Sequence, residues 1–164
     1  MIEAVIFDLD GTLIHLPIDY DRLFQEFAKI MKTDNVRPLT KTICRLDEKT
    51  RKKLFKTWDR AEVEALAGMT TNDEGISLYK KYSEKPKVLV TMQGKALVKT
   101  VLERFGLSFN LVITRENCFD RVEQLKTAAE KLKTPLPNIL FIGNTDEDRL
   151  TAKMVSCQFL RVGK

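Results

Sequence analysis

The chain has a single histidine, His15, and three cysteines in 164 residues, and these scarcities close off whole classes of chemistry. Cys44, Cys118 and Cys157 are far apart, odd in number and never in a Cys-x-x-Cys pair. Neither a disulfide framework nor a structural zinc site is expected from them, and a reducing, cytoplasmic setting is. No run reaches the ~18 apolar residues that a membrane-spanning helix requires. The opening MIEAVIFDLDG places acids where a secretory signal needs an unbroken apolar stretch. Internal repeats and low-complexity segments are also lacking.

What the chain has in quantity is charge. Charged residues make up 31% and hydrophobic residues 43%, a soluble globular composition long enough for one domain, or one domain with a small insert. The formal net charge is +5, yet the basic residues gather only in Lys49–Lys56, without the interleaved aromatics of a single-strand binder. We read that cluster as a solvated helix face. Neither nucleic acid nor a membrane is expected as a partner. The basic balance suits an anionic small substrate.

Ala4-Val5-Ile6-Phe7 is a short apolar run of the kind that forms a strand buried on both faces. Similar runs recur at Val88–Val90, Leu111–Ile113, Ile139–Ile142 and Phe159–Val162. Between the later strands lie helical patterns. Ala96, Leu97, Val101, Leu102 and Phe105 share one face, as do Val122, Leu125, Ala129 and Leu132, and Leu150, Met154 and Val155 mark a third helix. Alternating strands and helices predict an α/β fold, a Rossmann-like doubly wound parallel sheet. Residues 14–85 break this rhythm. They show no convincing strand, and amphipathic stripes on Leu23–Met31, Leu54–Leu66 and Ile76–Tyr79 predict a small all-helical insert whose aromatic residues, Trp58 among them, form its own core. The predicted organisation is a core of residues 1–13 and 86–164, with a helical cap over 14–85. An insert at that point sits above the C-terminal strand ends, where open α/β sheets bind ligands.

The chemistry-bearing residues fall at those ends. Asp8 and Asp10 stand two residues apart directly after a buried strand, where two carboxylates are costly unless a cation compensates them. Magnesium favours such oxygens, and Gly11 allows the chain to turn sharply away. The string FDLDGTL, residues 7–13, resembles the first signature of the haloacid dehalogenase-like hydrolases. The resemblance implies that Asp8 is the nucleophile and a metal ligand. It implies that Asp10 is the general acid and base, with its backbone carbonyl also on the metal. Thr91, ending the VLVT run, resembles the second signature and would bind the phosphoryl group with Met92 beside it, helped by amides at the start of the next helix. Two cations compete for the third position, Arg121 and Lys126, and spacing to the last signature favours Arg121. The string GNTDED, residues 143–148, resembles the Gly-Asp-x-x-x-Asp signature with one departure: Asn144 stands where the family has Asp, while Asp148 keeps the second acid. Asn144 and Asp148 complete the implied Mg²⁺ set, and Asp146 and Glu147 are candidates to replace the lost charge. The cap resembles that of phosphoglycolate phosphatases in position, though it is short. His15, just after the first signature, is read as a surface residue.

The expected function is therefore Mg²⁺-dependent hydrolysis of a small phosphorylated metabolite through an aspartyl-phosphate. A phosphomutase and a non-catalytic binding module with a weakened metal site are the alternatives. A metal-free dehalogenase is disfavoured by Asp10. Oligomeric state is left open.

Overall fold

The computed structural model describes residues 1–163. Its elements run β1 (Ala4–Phe7), β2 (Ile14–His15), α1 (Tyr20–Met31), α2 (Leu39–Cys44), α3 (Glu48–Ala65), β3 (Thr70–Thr71) and α4 (Asp73–Lys81). They continue with β4 (Lys87–Val90), α5 (Lys95–Phe105), β5 (Leu111–Ile113), α6 (Arg121–Leu132), β6 (Ile139–Gly143), α7 (Asp146–Met154) and β7 (Gln158–Arg161). Five strands form one sheet in the order β5-β4-β1-β6-β7, each neighbour pair parallel. All five apolar runs in the sequence are these strands.

Every residue of β1 is buried, because its two faces serve two cores. Val5 and Phe7 pack with Leu89 and with Leu97, Val98 and Val101 of α5. Ala4 and Ile6 pack with Val88, Phe141 and the α6 and α7 residues Leu125, Ala128 and Ala152. Helices on both faces are what a parallel sheet requires to keep apolar strands from water. On α7 the buried residues are Asp148, Thr151 and Ala152, whereas Leu150 and Met154 are exposed. The apolar spacing found that helix, and of its three marker residues only Val155 is buried in the core.

Between β1 and β4 the chain is mainly helical. Leu23, Phe27, Ile43, Leu54 and Trp58 form a third core, which Phe119 from the loop before α6 completes; the Ile76–Tyr79 stripe instead packs on the sheet core with Phe7, and Val63 is exposed. Trp58 and Phe119 meet edge to face with centroids 5.7 Å apart. The reading of this segment as strand-free is corrected: β2 pairs antiparallel with β3, Ile14 opposite Thr71 and His15 opposite Thr70. Two-residue strands are too short to leave a period-two signal. Helix α2, a six-residue turn of LTKTIC, likewise had no pattern to announce it. No helix among the described residues is long and apolar enough to cross a membrane.

Candidate active site

The parallel register gathers the candidate residues at one edge. Phe7 lies opposite Leu89 of β4 and Ile142 of β6, so Asp8, Thr91 and Asn144 leave three adjacent strands side by side. After Asp8 the chain curls: the Leu9 carbonyl accepts from the amides of Thr12, Leu13 and Ile14 at 3.1, 2.9 and 3.2 Å. Gly11 makes that curl possible with φ +83°, a left-handed value that other residues adopt only at a cost.

Asp8 and Asp148 are both nearly fully buried, and one guanidinium touches both. Arg121 Nη2 donates to Asp8 Oδ1 at 3.0 Å, and its Nε lies 3.5 Å from Asp148 Oδ1. Arg121 is the first residue of α6, so its side chain starts at the sheet edge. Lys126, a turn and more further along, is exposed and lies 3.9 Å from Glu123. Of the two competing cations, Arg121 is the one beside Asp8. Arg121 Nη1 also donates to Gln124 Oε1 at 2.9 Å. The Gln124 amide in turn donates to the Thr91 and Cys118 carbonyls, at 3.0 Å each.

Asp10 is held at both oxygens. Its Oδ1 accepts from the Leu16 amide at 2.9 Å and its Oδ2 from the Tyr20 hydroxyl at 3.4 Å. Burial pushes its carboxyl above the ordinary range, against the pull of the Leu16 amide and His15. Burial also drives the Asp8 carboxyl up to about 7; Arg121 opposes this, and Asp148 and Asp10 add to it. Burial is the main cause, and the neighbouring acids add to it: Asp8 and Asp148 share the one guanidinium.

Asn144 contributes no charge. Its Oδ1 accepts from the Thr12 hydroxyl at 3.4 Å, and its backbone N–H donates to Asp148 Oδ2 at 3.3 Å. Asp146 is not brought to the site: it pairs with Arg149 and Arg161 instead. Glu147 is exposed. Among the described residues no three acidic, histidine or cysteine side chains form a metal cluster. The set that converges is two carboxylates and an amide oxygen beside the Asp10 backbone. Hard oxygen donors with a negative charge left over after Arg121 fit a divalent ion that takes its other ligands from substrate and water.

Around Thr91 one expectation is corrected. The first amides of α5 are not available to an anion: Gly94 N–H donates to Glu62 at 3.2 and 3.3 Å, and Lys95 N–H to Glu116 at 3.1 and 3.2 Å. Thr91 Oγ1 accepts from the Gln93 amide at 3.0 Å, leaving its own proton to donate. The Met92 amide has no hydrogen-bond partner among the described residues. His15, exposed, joins Asp10, Gly11, Tyr20 and Asn144 around an open cavity of about 470 Å³.

The fold has counterparts among solved structures. No family model matches the chain, and no curated protein matches it in sequence. Solved structures do match in shape. A haloacid dehalogenase-like family hydrolase from Streptococcus pneumoniae superposes with TM-score 0.71 at 17% identity, covering 99% of this chain and 85% of that one. CbbY from Rhodobacter sphaeroides, in complex with phosphate, gives 0.70 at 14% identity over 100% and 87%. The fold is that of the haloacid dehalogenase-like hydrolases. A third protein with this fold, from Bacteroides thetaiotaomicron, is in complex with magnesium and inorganic phosphate; it gives 0.64 at 16% identity over 99% and 95%. At these identities the likeness carries the haloacid dehalogenase-like fold, and activity has to be argued from side chains.

Two site residues escaped sequence reasoning, Gln124 and Tyr20. Gln124 follows Arg121 by one helical turn, a signal available once Arg121 is placed. Tyr20 looks like an ordinary residue of a polar segment.

Proposed function

We propose that the protein is a Mg²⁺-dependent phosphohydrolase acting on a small phosphorylated metabolite, with Asp8 as nucleophile. The single observation that carries this reading is the Asp8–Arg121–Asp148 contact, two buried acids from β1 and α7 sharing one guanidinium with a negative excess left over. A magnesium ion held by Asp8, Asp148, the Asp10 carbonyl and Asn144 would withdraw charge from the phosphoryl oxygens.

Arg121 and the free Thr91 hydroxyl bind and orient the phosphoryl group, with the Met92 amide as a third donor. Asp8 Oδ attacks phosphorus in line with the leaving oxygen, and the aspartyl-phosphate forms as the ester P–O bond breaks. Asp10, whose carboxyl is shifted toward the protonated form, gives its proton to the leaving oxygen. It then takes a proton from the water that cleaves the acyl phosphate, which restores both acids. Tyr20 and the Leu16 amide hold Asp10 in place for both transfers. The open cavity beside Asp10, about 470 Å³, accommodates a small leaving group.

Hydrolysis of p-nitrophenyl phosphate tests the proposal. Turnover in the presence of Mg²⁺, lost on chelation and in Asp8→Asn, is the expected result; absence of Mg²⁺-dependent turnover contradicts it. One observation favours the non-catalytic module, the uncharged Asn144. Its signature is a wild type that binds no Mg²⁺ at millimolar levels while Asn144→Asp does.

A further inference from the structure

Glu62 belongs to α3 of the helical insert and Arg115 to the loop after β5, yet they form the most enclosed ion pair among the described residues, with side-chain exposures of 1% and 0%. The pairing is two-pronged: Nη1 to Oε2 at 2.8 Å and Nη2 to Oε1 at 2.9 Å. Asp59 makes a further contact to Nη2. The guanidinium lies over the rings of Trp58, at 4.5 Å, and Phe55, at 5.4 Å. The insert thus grips a core arginine from several sides.

The other half of the contact is with the core. Arg115 Nη1 donates to the Met92 carbonyl at 3.3 Å, and the Arg115 amide donates to the Gln93 carbonyl at 3.2 Å. Glu62 accepts from the Gly94 amide. Three consecutive residues after Thr91 are therefore tied to this one pair. Gly94 caps the start of α5 and has no side chain to offer, and Glu62 supplies an acceptor for the Gly94 N–H from 32 positions away. The approach is too close for any side chain at that point: a Cβ on Gly94 would lie 2.7 Å from both Arg115 Nη2 and Asp59 Oδ1. A buried ion pair contributes little net stability over well-packed apolar groups of the same shape. What this one does is fix where the loop backbone lies.

We infer that Glu62 and Arg115 are positioning residues. They hold Thr91–Gly94 in the shape that presents the Thr91 hydroxyl and the Met92 amide to phosphate, so docking of the insert and phosphate uptake are coupled. The inference rests on the phosphate site proposed above.

The test uses inorganic phosphate as probe, by calorimetry in Mg²⁺ buffer, on the full chain. The variants are Glu62→Gln and the apolar pair Glu62→Leu/Arg115→Met, which keeps the packing volume if the single variant fails to fold. Thermal melting and amide hydrogen exchange at Met92–Lys95 are read alongside, neither of which needs activity. The expected result is a folded double variant that binds phosphate at least about tenfold more weakly and exchanges its Gly94 amide faster. A folded double variant within about twofold of wild type in phosphate affinity overturns the inference, whatever its melting temperature. A wild type that takes up no phosphate overturns the site reading first, and the inference with it.

Discussion

Replacing Arg121 with Met removes the charge that Asp8 and Asp148 share while keeping most of the side-chain volume. Stripping one partner from a buried charge cluster costs about 3–5 kcal/mol. Arg121 is 15% exposed on its side chain, so we take the lower end, about 3 kcal/mol. For a domain of this size that corresponds to a fall of about 6–12 °C in melting temperature. Loss of a preorganised donor to the transferring phosphoryl group costs a further ~2–4 kcal/mol in the barrier, or about 30- to 1,000-fold in kcat/KM. Lys126→Ala is the control: its exposed pair with Glu123 is worth about 0.3 kcal/mol. The assays are a thermal melt with and without Mg²⁺, and steady-state hydrolysis of an aryl phosphate. Because a divalent ion can neutralise the two acids, added Mg²⁺ should raise the melting temperature of Arg121→Met more than that of wild type. Equal losses in the two variants, or an Arg121→Met protein with wild-type kcat/KM, would refute the reasoning.

Other outcomes follow from the same geometry. Asn144→Asp, by restoring an acid beside Asp148, should tighten Mg²⁺ binding by about tenfold in calorimetry, since ligand charge sets affinity at such sites; unchanged binding would place Asn144 outside the metal's reach. Gly11→Ala meets both a φ of +83° and a Cβ position 2.1 Å from Asn144 Nδ2, and a loss of about 1–3 kcal/mol in denaturant unfolding is expected. A thiol reagent at pH 8 should label exposed Cys44 first. It should reach Cys157 only on unfolding, because burial pushes that thiol up to about 11. Rapid labelling of Cys157 in the native protein, read by mass spectrometry, would contradict that.

Much of the fold was legible because β1, β4 and β6 are unbroken apolar runs, the pattern that a doubly covered strand imposes. The acids were legible because they follow those runs directly. What escaped reading depended on partners distant in sequence. Glu62 sits in DRAEVEA, a segment that looks like a solvated helix, and Arg115 in the polar loop TREN; only folding brings them together across 53 positions. The same holds for the α5 amides, which look open to an anion until Glu62 and Glu116 are placed on them. Leu150 and Met154 marked α7 but not its inward face, which carries Asp148, Thr151 and Ala152. Spacing to the last signature favoured Arg121 over Lys126, and the start of α6 at Arg121 decides it.

The central claim is that Asp8 takes the phosphoryl group. Acid-quenching the protein during turnover of a ³²P-labelled phosphomonoester with Mg²⁺ should leave hydroxylamine-sensitive label on the peptide containing Asp8. Wild-type turnover with no such label, or label that persists in Asp8→Asn, would contradict it.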